Sequence, residues 1–247
     1  SANVNTLQTH TSNVASSTSG NGDATQLMLP RVEMNVMANM NEWSTGYFSF
    51  GVNNLAGSNQ PGANLAIDSA FVTVGNLNQL PVYAFIGRDA INFGSFQTVN
   101  FCTPSLNRLA FQAYGDQLGV GFMGYGLNGT LTVANGSQDS SNNVYTKNTD
   151  AIGNYALNVG YGMNTAGADW HVGAGYLSGS RQNSAQNDQV GAYDLNAKVG
   201  YAGFDVLGEF TQTTGNAYVA GQTANKLRAW DLGADYNFPL MGKASKV

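Results

Sequence analysis

The sequence predicts an all-β chain, a transmembrane antiparallel up-and-down β-barrel with about twelve strands in view. Three observations predict it: apolar and polar residues alternate strictly, connections alternate between short and long, and ionisable groups keep to one face of the strands. With 247 residues the chain suffices for one large domain, and 1–247 reads as a single barrel. No stretch shows the 3.6-residue period of an amphipathic helix, and 31 glycines weaken helices further.

The first strand is the weakest. Val4–His10 alternates poorly, and is called for because such barrels hold an even number of strands with both ends on one side. Residues 1–26 thus read as this strand and an outer loop. Leu27–Met40 alternates almost without fault: Val32, Met34, Val36, Ala38 and Met40 share one face, Arg31, Glu33, Asn35 and Asn39 the other. The same period places Tyr155, Leu157, Val159 and Tyr161 opposite Asn154 and Asn158. It sets Trp170, Val172, Ala174 and Tyr176 opposite Asp169 and His171. Tyr193, Leu195, Ala197 and Val199 oppose Asp194, Asn196 and Lys198; Val206 and Phe210 oppose Asp205 and Glu209; Trp230, Leu232, Ala234 and Tyr236 oppose Asp231 and Asp235.

Short connections fall at Met40–Glu42, Asn78–Pro81, Leu127–Asn128, Asn164–Gly167, Ala202–Gly203 and Phe238–Met241. Long ones fall at Leu55–Ala63, Ser95–Asp116, Ser137–Asp150, Gly179–Gln189 and Thr213–Ala224. Asn128-Gly129 is the two-residue hairpin signal. A soluble Greek-key sandwich has no reason to gather its long loops at one end, whereas an outer-membrane barrel has short periplasmic turns and long outer loops. The tail Pro239–Val247 is a periplasmic end or the opening of a further hairpin.

Composition narrows the function. Lys plus Arg is 10 and Asp plus Glu 15, a net charge of −5, and no basic run serves a nucleic acid. The single Cys102 excludes an internal disulfide and a multi-cysteine metal site. No apolar run approaches the roughly 18 residues of a membrane helix. Ser1 opens a polar segment with no signal-peptide pattern, so the chain is either cytosolic or has shed a targeting segment. The polar face holds too many ionisable groups to pack dry, which favours a water-filled lumen with the apolar face on lipid. Trp43 and Trp170 just after short turns, and Tyr201, Tyr236 and Phe238 just before others, form an aromatic girdle at one interface.

Several stretches together resemble a known family. Leu29-Pro30-Arg31-Val32-Glu33-Met34 precedes Asn41-Glu42-Trp43; then come Ala70-Phe71-Val72-Thr73-Val74-Gly75-Asn76-Leu77, Ile86-Gly87-Arg88 and Asn92-Phe93-Gly94-Ser95-Phe96. This is similar to the LbtU-type siderophore porins of Gram-negative bacteria, mainly over residues 27–136, with Asn92 where that family has proline. The resemblance implies an outer-membrane barrel that passes or receives a small hydrophilic solute, a siderophore among them.

The candidate channel-lining or constriction residues are Arg31, Glu33, Arg88, Arg108, Asp169, His171, Asp194, Lys198, Asp205, Glu209, Asp231 and Asp235. Loops longer than about 12–15 residues are uncommon unless functional. Segment 95–116 therefore either folds into the lumen and narrows it, with Arg108 facing acidic wall residues, or caps the outer mouth or meets a neighbouring subunit. Arg31 and Glu33 point the same way and read first as an ion pair stiffening the wall. The acidic wall favours cations if it lines open water; solvated decoration is the alternative. Arg88 and Asp89 cannot both face inward without a bulge, and Arg88 is placed inward.

Other motifs carry no chemistry. Gly119–Gly124 matches G-x-G-x-x-G, but a hairpin follows where a dinucleotide site needs a helix. His10 and His171 lack a second metal ligand at a suitable spacing, Cys102 has no activating neighbour, and Ser137–Asp150 lacks the spacing of a calcium loop. No cofactor, metal or catalytic set is expected. The partners are outer-membrane lipid and a small solute. Porins commonly form homo-oligomeric trimers, but no residue pattern marks a subunit interface. Two other readings stand beside the channel: a structural or adhesive surface barrel with a closed pore, and an outer-membrane lipase or protease.

Overall fold

A computed structural model describes residues 2–10, 31–53, 64–99, 104–135, 152–182, 189–217, 225–240 and 243–246. The chain divides into two compact units, Ser1–Thr73 and Val74–Val247. The first contains β1 (Ala2–His10), β2 (Arg31–Asn39), β3 (Ser44–Asn53) and most of β4 (Asn64–Val74). Here β1 pairs antiparallel with β2, with a register shift between Val4 and Leu7, which accounts for its weak alternation, and β2 pairs with β3. Asn41 Oδ1 accepts from Trp43 N at 2.8 Å, the side-chain turn that lets the chain reverse between β2 and β3.

The second unit contains β5 (Val82–Ala90), α1 (Leu106–Phe111), β6 (Tyr114–Gly124), β7 (Leu127–Asn135), β8 (Ile152–Thr165), β9 (Ala168–Gln182), β10 (Gln189–Tyr201), β11 (Phe204–Thr213), β12 (Arg228–Leu240) and β13 (Lys243–Lys246). Each of these strands pairs antiparallel with its sequence neighbour. Among the described residues the chain is all-β, with thirteen strands in up-and-down order and one six-residue helix, against about twelve expected. The thirteenth is β13, so the tail opens a further hairpin.

Three hairpins close through two-residue turns with both residues at positive φ: Tyr125-Gly126, Ala166-Gly167 and Ala202-Gly203. That backbone matches the twist of the flanking strands. The first corrects the sequence reading. Asn128-Gly129 lies inside β7, where Gly129 pairs with Phe122, and the chain turns at Tyr125-Gly126 instead. Asn128 faces Gly160 of β8 and its Nδ2 lies 3.4 Å from His171 Nε2, so cross-strand polar contacts set the register there over local turn propensity.

The alternation is inverted relative to a soluble barrel. Leu157 is 47% exposed and Leu232 69%, while Asp194 is 0% exposed and Glu209 5%. Leu118, Val120, Leu131, Val159, Val172 and Leu195 are exposed with them, whereas Gln117, Thr132, Asn154 and Thr211 are buried on the opposite face. Exposing a broad apolar face to water would forgo about 25 cal/mol for every Å², so this face requires an apolar surrounding.

Aromatic residues bracket that face at both ends. Near the short turns Tyr161 meets Trp170 with ring centroids 5.5 Å apart, and Phe204 meets Tyr236 at 4.4 Å. Toward the long connections Tyr155 meets Tyr176 at 5.8 Å and Tyr193 meets Phe210 at 6.2 Å. The sequence reading recognised only the first of these girdles. Tyr155 and Tyr161, like Phe204 and Phe210, lie six positions apart, about 20 Å along a strand.

Candidate functional site

Strand β5 ends at Ala90, and there the chain leaves the sheet, four residues before the expected end at Gly94. Residues 91–99 then cross the polar face of the second unit as a belt. Asn92 leads: its Nδ2 donates to Thr130 Oγ1 of β7 at 3.3 Å, and its Oδ1 accepts from Asn158 Nδ2 of β8 at 2.8 Å. A proline at this position would supply neither bond. The Phe93 carbonyl lies on Gly175 of β9, where an added Cβ would stand 1.6 Å from its oxygen. Gly94 passes the Asp194 carboxyl of β10. Ser95 N and Phe96 N both donate to Glu209 Oε1 of β11, each at 2.8 Å, and Val99 lies against Gly233 of β12. Thr130, Asn158, Gly175 and Asp194 are successive register partners. From β7 to β10 the belt therefore follows one rung of the sheet, perpendicular to the strands, and then steps along β11 and β12 to Glu209 and Gly233.

The return limb packs on the same face. Ser105 caps α1 by accepting from Arg108 N at 3.1 Å, the usual use of a serine before a first turn. Asn107 points to the wall, fully buried, and donates to Thr211 Oγ1 at 3.0 Å. Thr211 Oγ1 donates onward to Asp194 Oδ2 at 2.6 Å, and Asn196 Nδ2 donates to Asp194 Oδ1 at 2.8 Å. Ile91 N donates to Ala113 O at 2.8 Å and ties the two limbs together.

The apolar side of the belt fills the space between limb and wall. Ile91, Phe93, Phe96, Phe111 and Ala113 form one buried cluster with Ala134, Ala156, Leu177, Ala192 and Ala229 of the strands. The Phe93 and Phe96 rings meet edge to face at 5.2 Å and 72°. Small wall residues make the room that these phenylalanines occupy. Burying each stabilises the inward position by about 1.5–3 kcal/mol.

The expected site residues fall into five sets. Asp194 and Glu209 hold the belt. Asp169, His171, Lys198, Asp205, Asp231 and Asp235 lie on the same polar face: Asp169 Oδ1 accepts from Asn164 at 2.6 Å, Lys198 Nζ stands 3.5 Å from Asp205 Oδ2, and Asn237 Nδ2 reaches Asp205 at 3.3 Å and Asp235 at 3.4 Å. The register sets Glu209 opposite Asp231 and Asp205 opposite Asp235. Arg108 is exposed on α1, its Nε donating to Gln112 Oε1 at 2.8 Å. Arg31 and Glu33 lie in β2, opposite Asn53 and Gly51; their side chains are outside the described residues, as are Cys102 and Ser137–Asp150.

Arg88 is a correction. Its register partner is Asp116 and that of Ile86 is the exposed Leu118, in a continuous ladder without a bulge. The strict alternation therefore sends Arg88 to the apolar face and Asp89 to the polar one. Arg88 Nη1 lies 3.5 Å from Asp116 Oδ1 at the long-connection end of the strands. The facing carboxyl of Asp116 accounts for a cation on that side.

The sequence reading missed Asn92, Asn107, Thr211 and Gly175 as parts of the site. Asn92 had a signal, the polar residue ahead of Phe93-Gly94; the other three had none.

No protein-family profile and no curated protein matches the chain. Its fold is similar to those of solved outer-membrane proteins. Salmonella typhi OmpF, solved in complex with daunomycin, matches with a TM-score of 0.59 at 13% identity, over 90% of this chain and 71% of that one. Pseudomonas putida OprB, in a high-pH structure, matches with 0.56 at 9% identity, over 85% and 64%. The outer membrane channel DcaP of Acinetobacter baumannii matches with 0.53 at 12%, over 95% and 70%. The chain thus spans about two thirds of the length of these proteins and has the fold of an outer-membrane porin barrel.

Proposed function

We propose that the protein is an outer-membrane channel for small hydrophilic solutes, narrowed by the belt at residues 91–99 and its return limb. The observation that carries this reading is the belt itself, held on the polar face by Glu209 and by the phenylalanine cluster. Support comes also from the exposed apolar face with its two aromatic girdles, which suits hydrocarbon bounded by headgroups, and from the porin barrel fold. Passage is passive. Asn92, Gln97 and Arg108, exposed on the two limbs, meet the solute, and the wall carboxyls of Asp205, Asp231 and Asp235 favour cations. A siderophore as the solute is the finer reading, and it rests on the resemblance of residues 27–136 to the siderophore porins.

Reconstitution of the full chain into a planar bilayer tests the channel. Stable, reproducible current steps are the expected result, and silence favours the closed structural barrel. Liposomes carrying the chain and an internal iron indicator test the siderophore, with uptake of a ferric siderophore above that of empty liposomes expected.

Two substitutions probe the charges. Asp231→Asn with Asp235→Asn removes two carboxyls from the polar face, and the reversal potential in a salt gradient is expected to move toward zero as cation preference declines. An unmoved potential places those strands away from the conducting path. Arg108→Ala is expected to raise conductance or weaken its dependence on solute charge. Stability is expected to change by no more than about 0.5 kcal/mol, because the side chain is exposed and its partner Gln112 is the cap of its own helix.

A further inference from the structure

The charged side chains of the polar face are mostly acids, and one register pair departs from this. Lys198 of β10 stands directly opposite His171 of β9, so the two side chains lie side by side. They line a cavity of about 210 Å³ together with Ser95 and Gln97 of the belt, Asn196 and Glu209. Five of these six side chains carry donors. The sixth, Glu209, has its Oε1 engaged by two belt amides. Lys198 Nζ lies 3.5 Å from Asp205 Oδ2, well beyond the ~2.8 Å of a close charge-assisted hydrogen bond, so that ammonium keeps donors for another partner. Asn128 Nδ2 lies 3.4 Å from His171 Nε2, and a neutral imidazole still carries one N–H donor on its ring. The volume is below the roughly 300 Å³ at which pockets for drug-sized ligands begin, so the occupant is small.

We propose that this cavity is a binding subsite for a small solute bearing a carboxylate. The carboxylate meets Lys198 Nζ, and its remaining lone pairs take donors from Ser95, Gln97 and His171. An anion is thereby offered a station beside the belt on a wall that otherwise repels it. The role of the station rests on the channel reading; binding itself does not need conduction. An ammonium is a point charge that takes a phosphate as readily as a carboxylate, so the probes are succinate and, separately, inorganic phosphate.

The test is calorimetric titration of each probe into the full chain in detergent micelles. Saturable succinate binding is expected, weakened about tenfold or more in Lys198→Gln, as loss of one charge-assisted contact implies. Binding is expected to persist in Lys226→Gln, outside the cavity. Phosphate binding with the same dependence on Lys198 also supports the subsite and widens its class to small oxyanions. Equal succinate affinity in wild type and Lys198→Gln overturns the proposal, as does no saturable binding. Should Lys198→Gln lose its strand circular dichroism, protection of wild-type Lys198 from an amine-acylating reagent by succinate, read by mass spectrometry, decides the same point. Lys198-dependent binding without bilayer current leaves the subsite standing and overturns the channel; current without such binding does the reverse.

Discussion

Glu209→Ala is expected to free the belt and raise single-channel conductance more than any other single change on the polar face. One carboxyl oxygen accepts both Ser95 N and Phe96 N at 2.8 Å. Each such bond contributes about 1–3 kcal/mol, and removing the acceptor leaves two amides without a partner. Alanine cannot reach them, because the belt is spaced from β11 by the length of the glutamate. Glu209→Gln separates this role from charge: a side-chain amide oxygen accepts the same two bonds, so conductance close to wild type is expected. Limited proteolysis between Ile91 and Val99 gives a second reading, with faster cleavage in the alanine variant alone. Wild-type conductance and wild-type resistance in Glu209→Ala would remove the belt from the conducting path.

Gly175→Ala should have the next largest effect, although it adds only a methyl group. The added carbon would stand 1.6 Å from the Phe93 carbonyl oxygen, and real contacts essentially never fall below 3.0 Å. Both partners are backbone or fixed to it, so no rotamer change relieves the clash and the belt must back away by more than an ångström. Overpacking of this kind costs about 1–3 kcal/mol, and here it also lifts Phe93 from its cluster. Gly208→Ala is the control. Its added carbon would meet Leu232 Cδ1 at 3.7 Å and Asp231 O at 3.9 Å, ordinary contact, and near-native stability is expected. Thermal unfolding in detergent compares the two. Equal melting temperatures would show that the belt does not rest on β9.

Much of the fold was legible because strand geometry writes itself into sequence with a period of two. Leu157, Val159 and Tyr161 against Asn154 and Asn158 fix both the strand and the side of each residue. The same rule decides which face meets lipid once acids crowd the other. Length alone marked 95–116 as a functional candidate. The rule says less where both neighbours are charged: Arg88 and Asp89 differ by one position, and only the ladder to Asp116 and Leu118 tells which is inward. Local propensity misled at Asn128-Gly129, because register there answers to contacts with β8 and β9 that turn statistics do not contain.

Alternation and loop length thus determined the class of fold, the two faces and the segment of interest, since these depend on residues a few places apart. Where that segment goes was decided only by tertiary structure. Glu209 lies more than a hundred positions from Ser95 and Phe96, and Gly175 about eighty from Phe93; no period or motif spans such distances. The carboxyl, the missing Cβ and the alanine-lined space acquire their meaning when strands β7 to β12 lie side by side and present one polar surface. A chain can encode a period locally, but a docking surface exists only after the sheet has formed.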